Sequence, residues 1–392
     1  MSLGWKKEIL KDACDIFTDG NWIESKDQSP EGIRLVQTGN IGFGYFKDKT
    51  DKARFISEET FGRLKCTEIL PKDLLVSRLP DPVGKSCIIP DIQSKMITGV
   101  DCTIIRTKDY LMPEFLLNYQ MSNQYLSDVN SKVTGTTRSR ISRKNLGMVE
   151  IPIPPLEEQK QIVALLDKTF AAIDQAKANV EKNLQNAKEL FQSKLNDIFT
   201  QKGEGWEEKK LSDPSVCQTI FAGGDAPKAN FSKERTEKYN IPIFANAVKN
   251  NGLYGFSDHY RVSEPSITVA ARGSGTGHTE IRYESFLPIV RLIVLIPNTE
   301  MINLEYLKYS IQNLDILRSG SAIPQLTVPM IKEYSISRPP LIEQEKIVDL
   351  LDALSDEIKK NKATLLQKIT ALEELKKSIL QKAFAGELTT GT

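Results

Sequence analysis

The chain writes one helix start twice: "PPLEEQKQIVALLD" at 154–167 returns as "PPLIEQEKIVDLLD" at 339–352. A shift of 185 residues aligns 154–199 with 339–384 without a gap, and 18 of the 46 positions are identical. They include Pro154/Pro339, Pro155/Pro340, Glu158/Glu343, Gln159/Gln344, Asp167/Asp352 and, near the far end, Leu195/Leu380 and Phe199/Phe384. An internal repeat of this length constrains the architecture more than any local propensity, because both copies must find equivalent surroundings.

Each copy predicts a long helix. Proline suits the first turn, where its missing N–H is an orphan anyway, and the acidic residues behind it face the positive end of the helix dipole. Apolar positions then recur at steps of three and four. They run Ile162, Leu166, Phe170, Ile173, Val180, Leu184, Ala187, Phe191, Leu195 and Ile198 in the first copy. In the second they run Ile347, Leu351, Leu354, Ile358, Leu365, Ile369, Leu372, Leu375 and Ile379. This is the seam of a coiled coil, interrupted by neither Pro nor Gly before Gly203 and Gly386. A narrow stripe on so long a helix cannot bury itself alone, and the simplest partner is the other copy.

The blocks between the helices differ in texture. Short β-branched runs such as "LLVSRL" (74–79), "VDCTIIR" (100–106), "SITVAARG" (266–273) and "IVRLIVLIP" (289–297) alternate with Gly, Pro and Asn. Each block reads as a compact α+β domain. The two also echo one another: Gly4–Trp5 matches Gly205–Trp206, "PEFLLNY" (113–119) matches "LEYLKY" (304–309), Arg78 matches Arg272, and Gly84–Lys85 matches Gly277–His278. The predicted fold is two mixed α/β globular domains, 1–153 and 201–338, separated by two long helices, 154–200 and 339–392. Related by a pseudo-twofold axis, these helices would form an antiparallel coiled coil and carry the globules to opposite ends, a rod with a reading head at each end.

No apolar run reaches the roughly 18–20 residues of a membrane span, and the N-terminal "MSLGWKKEILKDACDIF" lacks the apolar core of a signal peptide. The five cysteines are scattered, with no CxxC pair, as expected for reduced thiols in a cytoplasm. Net charge is +1 and carries no information about nucleic acid. Lys132–Lys144 ("KVTGTTRSRISRK"), however, holds five basic residues and no acid, a stretch able to line a phosphate backbone.

"IPIPPLEEQKQIVALLD" and "RPPLIEQEKIVDLLD", each closing a variable domain and opening a repeated helix, resemble the specificity (S) subunit of type I restriction–modification enzymes across essentially the whole chain. The resemblance implies two target recognition domains, each binding one half of a split, asymmetric site in double-stranded DNA. It implies a conserved helical spacer on which two adenine-N6 methyltransferase (M) subunits dock, with motor–nuclease restriction (R) subunits joining. It further implies that no cofactor is bound by this chain, S-adenosylmethionine, ATP and Mg belonging to the partner subunits. Exposed faces beside the Pro-Pro starts, at Glu158, Gln159, Glu343 and Gln344, are the expected docking positions.

The residues themselves carry little chemistry. No Asp/Asn-Pro-Pro-Phe/Tyr sequence is present, "GSGTGHT" (273–279) lacks the Lys of a phosphate-binding loop, and the two histidines, His259 and His278, have no Cys at ligand spacing. No catalytic or metal site is therefore expected. Base reading needs Arg, Lys, Asn, Gln, Ser or Thr on loops, with basic neighbours on phosphates. Those criteria select Thr38, Asn40, Arg78, Lys85, Thr137, Arg138 and Arg140 in the first domain. In the second they select Asn246, Lys249, Arg272, Ser274, Thr276, His278, Ser321 and Gln325. Three other readings share these features: the specificity chain of a related system cutting on both sides of its site, an S-like decoy, and a coiled-coil scaffold that binds no DNA.

Overall fold

The computed structural model describes residues 4–80, 82–135, 139–273, 275–316, 325–385 and 387. The chain forms two compact units, one from Met1–Val180 with Leu366–Thr392 and the other from Glu181–Leu365.

In the first unit Cys14–Asp19, Cys102–Thr107, Leu74–Ser77 and Ser86–Ile88 form an antiparallel sheet in that order. A second sheet runs Gln28–Ser29, Arg54–Ile56, Ile33–Val36, Met96–Thr98, with its last pair parallel. Lys6–Ile9 pairs with Glu150–Ile153, so the two ends of the block meet just before the first long helix. Leu74–Ser77 is buried on both faces, which is why its sequence reads as a continuous run and not an alternation.

The second unit repeats this topology strand for strand. Cys217–Ala222, Ile293–Pro297, Ser266–Val269 and Thr279–Arg282 form one sheet; Phe231–Ser232, Leu253–Ser257, Ile241–Phe244 and Leu287–Pro288 form the other; Glu207–Lys210 pairs with Ser335–Arg338. Even the irregularities recur, since the register slips between Cys14 and Ile16 and again between Cys217 and Thr219. Matching registers set the equivalences. Asp19 faces Thr103 as Ala222 faces Ile293, and Val36 faces Thr98 as Phe244 faces Pro288.

The two repeated segments form helices Leu156–Thr200 and Leu341–Ala385, 45 residues each. In the first unit, Ile162, Leu166, Phe170 and Ile173 share a core with Leu380, Ala383 and Phe384. The pairs Lys177–Glu373 (2.7 Å) and Asp174–Lys376 (3.3 Å) show the helices passing in opposite directions there. In the second unit, Leu195 and Phe199 share a core with Ile347, Val348 and Leu351. One expected seam position fails: Leu375 is exposed, and Lys376 takes its place, laying its ammonium 4.6 Å from the Phe170 ring centre. A lysine stem covers apolar surface while its head stays wet, so pattern alone did not separate the two. Among the described residues, no helix is long and apolar enough to cross a membrane.

Candidate nucleic-acid interface

In the first unit the loops after several strands gather at one end. Thr38 and Gln37 line a small cavity of about 220 Å³ with Asn21, Trp22, Val100 and Asp101. Arg140, exposed, holds Asp101 at 3.0 Å. The main chain places it there: Thr134 and Arg140 bond reciprocally, Ile141 N–H donates to the Arg78 carbonyl, and Ser142 caps the short helix Arg143–Gly147. Asn40 shapes the neighbouring loop, its Nδ2 donating to the Lys47 carbonyl and its Oδ1 accepting from Gln37 N–H, both at 3.0 Å. Lys85, half-buried, closes the hairpin after Leu74–Ser77, its carbonyl accepting from Ser77 N–H.

Arg78 does not reach solvent. Its guanidinium is buried against Asp19 at 3.0 Å and donates to the carbonyls of Val100 and Ile141. Burial lowers its pKa from the ordinary value, with Asp19 opposing that shift. It ties three loops from beneath and cannot read a base, which corrects the sequence expectation. The physical reason is register. The Ser77–Lys85 hairpin bonds match those of Ala270–His278, so Lys85 does fall on His278, but Arg78 falls on Ala271 and Leu79 on Arg272. A one-residue slip along a strand sends a side chain to the opposite face.

The second unit gathers the equivalent loops. Arg272 is exposed and bridges Gln325, which occupies the position of Arg140, since Leu326 N–H donates to the Ala271 carbonyl as Ile141 does to Arg78. Asn246 fastens this region, donating to the Arg272 carbonyl at 3.1 Å and accepting from Ala271 N–H. Lys249 is exposed beside it. Thr276 is buried and its hydroxyl donates to the Gly273 carbonyl at 2.8 Å, which helps to build the turn. His278 is half-buried, with Nε2 3.0 Å from the Glu280 carboxylate. Thr137, Arg138, Ser274 and Ser321 lie outside the described residues.

The Pro-Pro starts carry a second correction. Gln159 and Gln344 are wholly buried, not exposed. Gln159 accepts from Met112 N–H (2.8 Å) and donates to the carbonyls of Tyr110 (2.8 Å) and Pro154 (2.9 Å). Gln344 accepts from Asn303 N–H (2.7 Å) and donates to Met301 (3.2 Å) and Pro339 (2.8 Å). Glu158 and Glu343 accept from the indole N–H of Trp5 (3.0 Å) and Trp206 (2.9 Å). The repeated Glu-Gln pair thus fastens each helix start to its own globule. Two further exposed residues at these loop ends were not singled out from sequence: Trp22, 70% exposed at the cavity rim, and Arg291, on the turn equivalent to Asp101. Trp22 had a legible signal, an aromatic in a polar loop; Arg291 was hidden inside "IVRLIVLIP", where it reads as strand. Among the described residues, no group of three or more His, Cys, Asp or Glu could hold a metal ion.

The family model described as "Type I restriction modification DNA specificity domain" matches twice, over residues 3–185 and 203–371. A Mycoplasma pneumoniae protein named as a type I specificity subunit is 30% identical over 66% of this chain and 69% of its own length. The EcoKI specificity subunit of Escherichia coli K12 is 26% identical over 91% of this chain and 82% of its own. A chain solved in work on complex assembly and conformational transition of the type I R-M system superposes with a TM-score of 0.79, covering 98% of both chains at 18% identity, which speaks to fold alone.

Proposed function

The chain belongs to the type I restriction–modification DNA specificity family, carrying its domain twice, and from that premise we propose that it reads a bipartite, asymmetric DNA site, one half with each unit. The observation that carries this reading is the contrast between scaffold and tips. The strand order and even the bulge recur, yet the loop ends carry different side chains: Arg140 against Gln325, Thr38 against Asn246, Lys85 against His278. Two copies of one platform with different polar tips suit two different short sequences, because base edges are discriminated by donor and acceptor pattern while the platform itself need not change.

In this reading the chain is non-catalytic. Methylation would come from two adenine-N6 methyltransferase subunits docked along the long helices, and cleavage from motor–nuclease subunits, with S-adenosylmethionine, ATP and Mg held by those partners. Thr38, Lys85 and Arg140 in the first unit, and Lys249, Arg272, His278 and Gln325 in the second, are the described residues proposed to face DNA. Exposed groups past the first helical turn, not the buried glutamines, would meet the methyltransferase. The test is a base-resolution map of N6-methyladenine in the source organism, with the gene intact and deleted. Loss of methylation at one split motif supports the role and reveals both half-sites. Unchanged methylation across the genome argues against it.

A further inference from the structure

The turn joining Leu287–Pro288 to Ile293–Pro297 differs from its counterpart in the first unit in two ways. Thr98 to Thr103 and Pro288 to Ile293 are the same length between matched strand pairs, so Asp101 falls on Arg291. Both turns close with the same main-chain bond, Cys102 N–H to Gly99 at 3.0 Å and Leu292 N–H to Ile289 at 3.1 Å. Only in the second unit do both central residues sit at positive φ, Val290 at 52° and Arg291 at 59°. Such a mirror-image turn normally takes Asn and Gly; a β-branched residue there is an outlier. Val290 N–H donates to the Gly224 carbonyl at 2.7 Å, pinning the turn, and the Val290 side chain remains 49% exposed. Ile289 N–H donates to Phe244, two residues before Asn246, so the turn belongs to the loop end already described.

The charges at this position also differ. In the first unit Asp101 is paired with Arg140. In the second, Arg291 is exposed and its side chain makes no hydrogen bond or ion pair among the described residues, while Gln325 stands where Arg140 would be. A position that merely gripped phosphate would keep one sign in both units, because the backbone carries the same charge along every sequence, and an aspartate would be repelled. A position that addresses base edges is free to change sign, since each base pair presents a different pattern.

We propose that Arg291 reads a base edge, guanine O6 and N7 by preference, and that the Asp101/Arg291 position helps set the two units to different half-sites. This rests on the DNA-recognition reading above. The experiment is the N6-methyladenine map of the source organism carrying either the wild-type allele or Arg291→Asn. Asparagine tolerates positive φ, and the replaced side chain has no described partner, so the turn is retained. The expected result is a motif in which one base pair of one half becomes degenerate, discrimination there falling roughly 10- to 100-fold, while the other half keeps every base. A motif unchanged at all positions overturns the assignment, as does methylation lost or weakened equally at every site. A wild-type allele with no split motif absent from the deletion strain sinks the DNA-recognition reading itself.

Discussion

Gln159 and Gln344 are single buried side chains that each bond three main-chain groups, and they explain why the repeat retains Glu-Gln after Pro-Pro-Leu. Replacing either by alanine removes the partner of one N–H and two carbonyls, and leaving such partly buried groups unpaired is costly. Gln159→Ala and Gln344→Ala are each expected to destabilise their own unit by about 2–4 kcal/mol in denaturant titrations. A wild-type curve for both variants would mean that these bonds do not hold the helix starts in place. The thiols make a second expectation. All five cysteines are buried, and desolvation pushes Cys14, Cys87, Cys102 and Cys217 up to about 12. A raised thiol pKa leaves almost no thiolate near neutrality, so alkylation of these four in the folded protein should stay negligible and flat from about pH 7 to 9. Denaturation should expose them all to the reagent.

At the scale of elements, the end of the second repeat helix completes the first unit's core. Phe384 meets Phe115 and Tyr119 edge-on, with ring centres 5.5 and 5.2 Å away. Phe384→Ala is expected to cost about 3–5 kcal/mol in the first unit and to leave the second unit's transition in place, read by mutants of each unit in parallel melts. Strand connections offer the opposite lever. Val290 holds positive φ without a glycine's or asparagine's tolerance, so Val290→Asn should stabilise the second unit by about 1 kcal/mol, seen as a higher melting temperature. No gain would mean that the turn is relaxed as it stands.

For the whole molecule, one sheet order recurs in both units, and the measurable consequence of the proposed DNA reading is electrostatic. If Arg140, Arg272 and Lys249 meet DNA, affinity for duplex should fall steeply and log-linearly with salt, since each neutralised phosphate releases counterions. Binding to duplex that is absent at low salt would instead favour the scaffold reading. The helix starts, the two α+β domains and the family were legible in the sequence, because a gapless repeat and a 3.6-residue stripe are properties of order along the chain and survive without coordinates. Lys85 and His278 were matched correctly for the same reason, both following a glycine at a hairpin. Arg78 and Arg272 were not, because a strand's two faces differ by one residue and only the hydrogen-bond register counts it. The fates of Gln159, Leu375 and Arg291 likewise waited on the tertiary structure. Burial of a polar group depends on distant main-chain partners, a lysine stem can displace a leucine from a seam, and a strained turn inside an apolar run is held by contacts that composition does not record.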